Sequence, residues 1–174
     1  SFTTLDLSNF NTASATTMYY MFYGCSKLES INLSSFNTSK VTSMEHMFSD
    51  CSSLKELDVS KFDTSKVTTM ASMFRDCISI TDLNLSNFDT SSVKIMDYMF
   101  NNCPSLVNLN LSSFNTSKVT SMYQMFYNHC SLETLDLSSF DTSNVTDMSL
   151  IFKSAKINKL KTIYVSDLWN TSKV

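Results

Sequence analysis

Residues 33–44 read LSSFNTSKVTSM, and residues 111–122 spell the same twelve letters. A chain that repeats itself this closely within 174 residues is built from stacked copies of one unit. Aligning on L-x-L-S-x-F puts the first apolar position at Leu5, Ile31, Leu57, Leu83, Leu109, Leu135 and Ile163, so the step is 26 residues five times and then 28. The phenylalanine of the motif recurs at Phe10, Phe36, Phe62, Phe88, Phe114 and Phe140, with Leu168 closing the column. Methionines follow at Met18, Met44, Met70, Met96, Met122 and Met148. A Met-Phe pair then recurs through residues 125–126, with Ile151-Phe152 in its place at the end. All 11 methionines fall in these columns, as do all 13 phenylalanines except Phe2. Apolar residues placed so regularly are core ladders.

Each unit has two halves of different period. In residues 54–77, LKELDVSKFDTSKVTTMASMFRDC, Leu57 and Val59 alternate with Glu56, Asp58 and Ser60, which predicts a short strand. Val67, Met70, Met73, Phe74 and Cys77 recur at steps of three and four, which predicts one face of a short helix. The intervening FDTS supplies side chains that cap helical N–H groups and so predicts the helix start. A strand, a turn and a helix in 26 residues bury no apolar face alone, but stacked copies build one continuous core.

This pattern resembles the leucine-rich repeat, whose L-x-x-L-x-L frame is visible as Leu54-x-x-Leu57-x-Val59 and Leu106-x-x-Leu109-x-Leu111. More narrowly, it is similar to the BspA-like, DUF285-type repeats of bacterial surface proteins, and residues 135–148, LDLSSFDTSNVTDM, match that motif closely. The resemblance implies an α/β solenoid, right-handed, of the leucine-rich-repeat type, with a parallel sheet on one face and short helices on the other. It also implies a secreted or wall-anchored bacterial protein, many of whose relatives are proposed adhesins, and it brings no catalytic residues. Residues 1–174 are read as a single repeat domain of six full coils and a partial seventh, and as a fragment of a longer surface protein.

Several positions depart from the repeat. The cysteine column Cys25, Cys51, Cys77, Cys103 gives way to His129, with Cys130 one place late, and Ala155 takes that position in the following coil. Residues 153–160 carry two extra residues, and the last strand brings in Tyr164, Leu168 and Trp169. The cysteines are a whole repeat apart and never form C-x-x-C, so a zinc site is not expected. They are expected to be reduced, buried thiols, His129 a half-exposed variant in their column, and His46 a residue of the outer helix face with no companion.

The formal charge of −3 gives no case for nucleic acid or an anionic membrane surface. No apolar run approaches the roughly 20 residues that span a bilayer. No cofactor, nucleophile motif or phosphate loop is present, so an enzyme is not expected. The sequons at Asn32, Asn37, Asn110 and Asn115 follow from the repeat itself.

What remains are surfaces. The exposed columns of the strand face carry Glu56, Asp58, Asp82, Asn84, Asn110, Asp136 and Tyr164, an ordered polar array expected to bind a host or neighbouring-cell protein or glycan. The acidic spot of Glu56, Asp58 and Asp82 also offers oxygen ligands suited to calcium. Tyr19, Tyr20, Tyr23, Tyr123 and Tyr127 form an alternative face on the other side. A stalk or spacer holding another domain, and an ice-binding solenoid, are the competing readings.

Overall fold

The computed structural model describes residues 2–129, 131–154 and 159–174. Cys130 and Ala155, two of the departures from the repeat, lie outside the described residues. The chain is a parallel β-solenoid with one strand per coil: β1 Thr4–Asp6, β2 Ser30–Asn32, β3 Glu56–Leu57, β4 Asp82–Asn84, β5 Asn108–Asn110, β6 Thr134–Leu137 and β7 Thr162–Val165. The pairing register is that of the repeat, with Leu5 beside Ile31 and Ile31 beside Leu57. The strands form three ladders, β1-β2-β3, β4-β5 and β6-β7. At the first break Glu56 and Asp82 occupy equivalent positions on successive coils, and like charges directly opposite disfavour pairing. Nothing in the side chains explains the second.

The expected helices are absent: among the described residues none is helical. The segment from Met44 to Cys51 is a run of tight turns whose N–H groups alternate between two kinds of partner. His46, Phe48 and Asp50 donate to the carbonyls of Ala71, Met73 and Arg75 in the next coil, at 3.0, 3.0 and 2.8 Å. Met47, Ser49 and Cys51 donate back three residues along their own chain, each at 3.2 Å. The turns need a left-handed residue, and φ is 56° at His46 and 61° at Asp50, the third residue of a type II turn. The Asp50 column reads Gly24, Asp50, Asp76, Asn102, Asn128, residues that tolerate this region. The three-and-four spacing of the apolar residues thus arises from tandem turns.

FDTS has a different role from the one its composition suggested. The Asp or Asn oxygen accepts the N–H two residues on, as Asp63 does from Ser65 at 3.1 Å, which makes an Asx turn. The threonine points inward and is buried in six successive coils, from Thr12 to Thr142. The Thr38 hydroxyl donates to the Asp63 carbonyl at 2.9 Å and accepts the Asp63 N–H at 2.8 Å. Thr12, Thr90, Thr116 and Thr142 make the same double bridge. Each corner of the coil is therefore bolted to the next through a side chain.

The core lies between the strand wall and the turn wall. Phe22, Phe48, Phe74, Phe100, Phe126 and Phe152 stack at centroid distances of 5.5 to 6.1 Å. Trp169 continues the stack on Phe152 at 6.2 Å, so the tryptophan foreign to the repeat takes over the ring ladder in the last coil. Between the walls, isolated bridges join Thr17, Ser43, Thr69, Ile95, Ser121 and Asp147 in one unbroken row.

Two substitutions test these ladders by urea unfolding. Phe74→Ala removes a fully buried ring and is expected to destabilise by about 3–5 kcal/mol. Thr38→Val keeps the shape but strands the N–H and C=O of Asp63, and is expected to destabilise by about 2–4 kcal/mol. A midpoint unchanged for either would remove that column from the list of structural supports.

Candidate functional site

The strand wall presents the sequence-predicted residues as expected in exposure: Glu56, Asp58, Asp82, Asn84, Asn110, Asp136 and Tyr164 are all exposed. Their chemistry is more constrained than an open array. In six successive coils the central Asp or Asn turns one side-chain oxygen onto the backbone N–H of the serine two residues on. Asp58 binds Ser60, Asn84 binds Ser86, Asn110 binds Ser112 and Asp136 binds Ser138, at 2.9–3.1 Å. The column is Asp or Asn because this turn needs an oxygen there. The same bond leaves one further polar atom facing solvent on each residue: an amide donor at Asn84 and Asn110, a carboxylate oxygen at Asp58 and Asp136.

These contacts set the electrostatics. Bonds from the Ser60 hydroxyl and N–H hold the Asp58 carboxyl below its ordinary range, and Ser138 does the same for Asp136. Asp82 is lowered by the Thr81 hydroxyl, 2.7 Å away, and by the Asn108 amide. All three are charged at neutral pH.

Strands β4 to β6 enclose a groove of about 510 Å³ lined by Asp82, Asn84, Asn108, Asn110, Thr134 and Asp136. It brings together Asp82, Asn84, Asn110 and Asp136. Glu56, Asp58 and Tyr164 are not among its lining residues, and Asp58 borders a much smaller depression with Asn32 and Lys61. Of the acidic spot anticipated at Glu56, Asp58 and Asp82, only Asp82 lines this groove, and among the described residues no three metal-ligating side chains converge. Asn108 and Thr134, which stand in the same outward column as Glu56 and Asp82, join the groove although the sequence did not single them out as site residues, because that column varies from coil to coil.

The turn wall holds the tyrosines, in two groups. Tyr20 stacks on His46 at 4.4 Å, with Tyr19 and Tyr23 edge-on to it at 4.3 and 4.8 Å. His46 thus has three aromatic companions, and burial lowers its pKa. Tyr123 is half-buried and packs against Tyr98 at 5.1 Å, and Tyr127 is half-buried as well. Ala71 and Ser72 separate the two groups, and a groove of about 400 Å³ lies there beside Arg75. The alternative face is two patches.

The cysteine column is interior. The Cys51, Cys77 and Cys103 thiols donate to the carbonyls of Phe22, Phe48 and Phe74 in the preceding coil, at 3.1, 3.2 and 3.1 Å. Cys25, Cys51, Cys77 and Cys103 are free thiols. Burial pushes Cys51 and Cys103 up to about 12 and Cys77 well above its ordinary value. His129 is fully inside, 2% exposed, not half-exposed, because its Nε2 takes over the thiol's bond to the carbonyl one coil back, here that of Phe100. Its Nδ1 is buried and has no hydrogen-bond partner among the described residues.

A family model described as "Mycoplasma protein of unknown function, DUF285" matches residues 1–84 and 77–174. No curated protein and no solved structure matches the chain.

Burial lowers the His129 pKa to about 4 from an ordinary 6.5. The unfolded chain therefore binds this proton at higher pH than the folded one, and stability rises with pH in that window. The contribution is complete above about pH 6.5 and is lost as pH falls toward about 4, amounting to roughly 3 kcal/mol. Melting should drop between about pH 7 and about pH 5, and His129→Cys, which restores the column residue, should flatten the drop. Equal slopes in parent and variant would assign the acid sensitivity elsewhere. In a Cys130→Ser background, a thiol reagent should modify half-exposed Cys25 in the native protein and Cys51, Cys77 and Cys103 only after unfolding.

Proposed function

Because the chain belongs to the DUF285 family, a family of unknown function, we propose that it is an extracellular binding module of a bacterial surface protein, engaging a host or neighbouring-cell protein or glycan rather than catalysing a reaction. The observation that carries this reading is the groove across β4, β5 and β6. Its polar groups sit on successive coils of the solenoid, and the bonds to Ser86, Ser112 and Ser138 hold Asn84, Asn110 and Asp136 in place before any ligand arrives. Little side-chain freedom is lost on binding, and that is where polar surfaces ordinarily forfeit affinity. The amides of Asn84 and Asn110 beside the carboxylates of Asp82 and Asp136 favour a partner rich in hydroxyl or ammonium groups.

The competing stalk reading draws on the same rigidity but needs no groove. A glycan array combined with a panel of host-matrix proteins separates the two, since a spacer engages nothing specifically. Secretion and anchoring are tested at the two ends of the full-length gene.

The groove is tested by Asn84→Asp together with Asn110→Asp. Both variants retain the oxygen that closes the turn, so folding should survive, while the outward amide donors become acceptors. Affinity for a partner found in the screen is expected to fall about tenfold or more. Tyr19→Ala, Tyr20→Ala and Tyr23→Ala should leave it unchanged. The opposite pattern would move the binding face to the turn wall.

A further inference from the structure

Between the strand wall and the turn wall runs a third surface with a charge of its own. In the segment Lys40-Val41-Thr42 the valine is buried and its neighbours are exposed, the same alternation recurs at Lys66-Val67-Thr68 and Lys118-Val119-Thr120, and at Ser92-Val93-Lys94 the valine is buried, Ser92 half-buried and Lys94 exposed. Residues 42, 68, 94 and 120 are joined coil to coil by backbone bonds: Thr68 N–H to the Thr42 carbonyl, Lys94 to Thr68 and Thr120 to Lys94, each at 2.9 Å. Four consecutive coils therefore present one exposed lysine apiece on a flat, hydrogen-bonded wall, at coil steps of about 5 Å. The fourth coil exchanges its columns, Ser92 standing where the others have lysine and Lys94 where they have threonine. The count of one lysine per coil survives the exchange.

None of Lys40, Lys66, Lys94 and Lys118 makes an ion pair among the described residues. In contrast, Lys55 and Lys161 on the strand side are each paired with a glutamate, at 2.7 and 3.0 Å. The carboxylates of Asp63 and Asp89 are lowered in part by Lys66 and Lys118 respectively, and each has one oxygen committed to a serine N–H. Within the two outward columns of these four coils no acidic residue occurs. The Thr42, Thr68 and Thr120 hydroxyls donate to carbonyls of the preceding coil at 3.1–3.2 Å, which turns their lone pairs outward as acceptors.

The geometry points to this wall as a binding surface for a linear anionic polysaccharide, running along the solenoid axis with sulfate or carboxylate groups on the lysines and its hydroxyls on the threonines. Like charges stacked coil upon coil repel one another, and a polyanion laid along the row relieves that repulsion while releasing its counterions. The coil step is comparable to the length of one sugar ring. Nucleic acid fits less well: the wall offers no aromatic side chain on which a base could stack, and the chain as a whole carries a formal charge of −3. The surface is separate from the strand-wall groove, so either binding activity can fail without the other.

The test uses the 174-residue chain with immobilised heparin as the probe and duplex DNA as competitor, across a salt series. The parent should bind at low salt and weaken steeply as salt rises. Changing Lys40, Lys66, Lys94 and Lys118 together to Gln should weaken binding on the order of a hundredfold and flatten the salt dependence. A control with the same loss of charge, Lys27, Lys61, Lys153 and Lys173 to Gln, should bind as the parent does. All the changed residues are exposed, so melting should be unaltered, and this is checked for both variants. Absence of parental binding at low salt overturns the proposal, as does an equal loss in the control. Displacement by duplex DNA at lower concentration than by free heparin overturns the ligand class.

Discussion

Every coil must pass its backbone N–H and C=O groups to a neighbour about 4.8 Å away, and the rest of the molecule follows from that requirement. The threonines at the corners where the chain turns inward are buried, so an unpaired backbone group there is expensive. The buried threonines answer it. A hydroxyl that donates to a carbonyl and accepts an N–H of the same residue one coil on, as Thr38 does with Asp63, completes the ladder where the backbone bends away. The turn wall meets the same demand with alternating bonds, and the cysteine thiols meet it where a carbonyl faces the core. His129 shows that the demand is for a donor at that point rather than for sulfur.

Within such a framework several outward side chains also close turns or bond neighbouring coils, and one column does so at the centre of the strand wall. The central Asp or Asn of the strand wall is at once a turn-closing group and a surface group. Its identity is dictated by the turn; its second polar atom is available for recognition. This dual duty explains how the wall is so regular and yet polar. It also explains why variation between carboxylate and amide at Asp58, Asn84, Asn110 and Asp136 is tolerated by the fold while altering the surface. On the third wall the threonines bond backbone carbonyls, whereas the lysines make no ion pair among the described residues.

Much of the fold was legible in the letters. The 26-residue step, the parallel register and the buried Phe, Met and Cys columns all follow from equivalence between coils, because equivalent residues must stack. The helices were misread because apolar residues three and four apart mark an inward face in tandem turns as well as in a helix, and Asp-Thr-Ser closes an Asx turn as readily as it caps one. The strand-wall residues face outward as their alternation implies, whereas the groove that gathers Asp82, Asn84, Asn110 and Asp136 without Glu56 and Asp58 is visible only in three dimensions. His46 looked solitary because Tyr19, Tyr20 and Tyr23 belong to another coil.

The sequence by itself determined which apolar columns face inward, since hydrophobic period and repeat length suffice for that. Only the tertiary structure decided where each backbone donor goes, and with it the choice of turns over helix, the inward threonine bolts and the burial of His129. It also decided how charge is distributed. A formal charge of −3 conceals a wall of unpaired lysines, because net charge is a sum over the chain whereas a surface is chosen by which residues the coil turns to the same side. The physical reason is common to all of these: the partners lie about one coil apart in sequence, where local pattern carries no information and only the stacking distance brings them together.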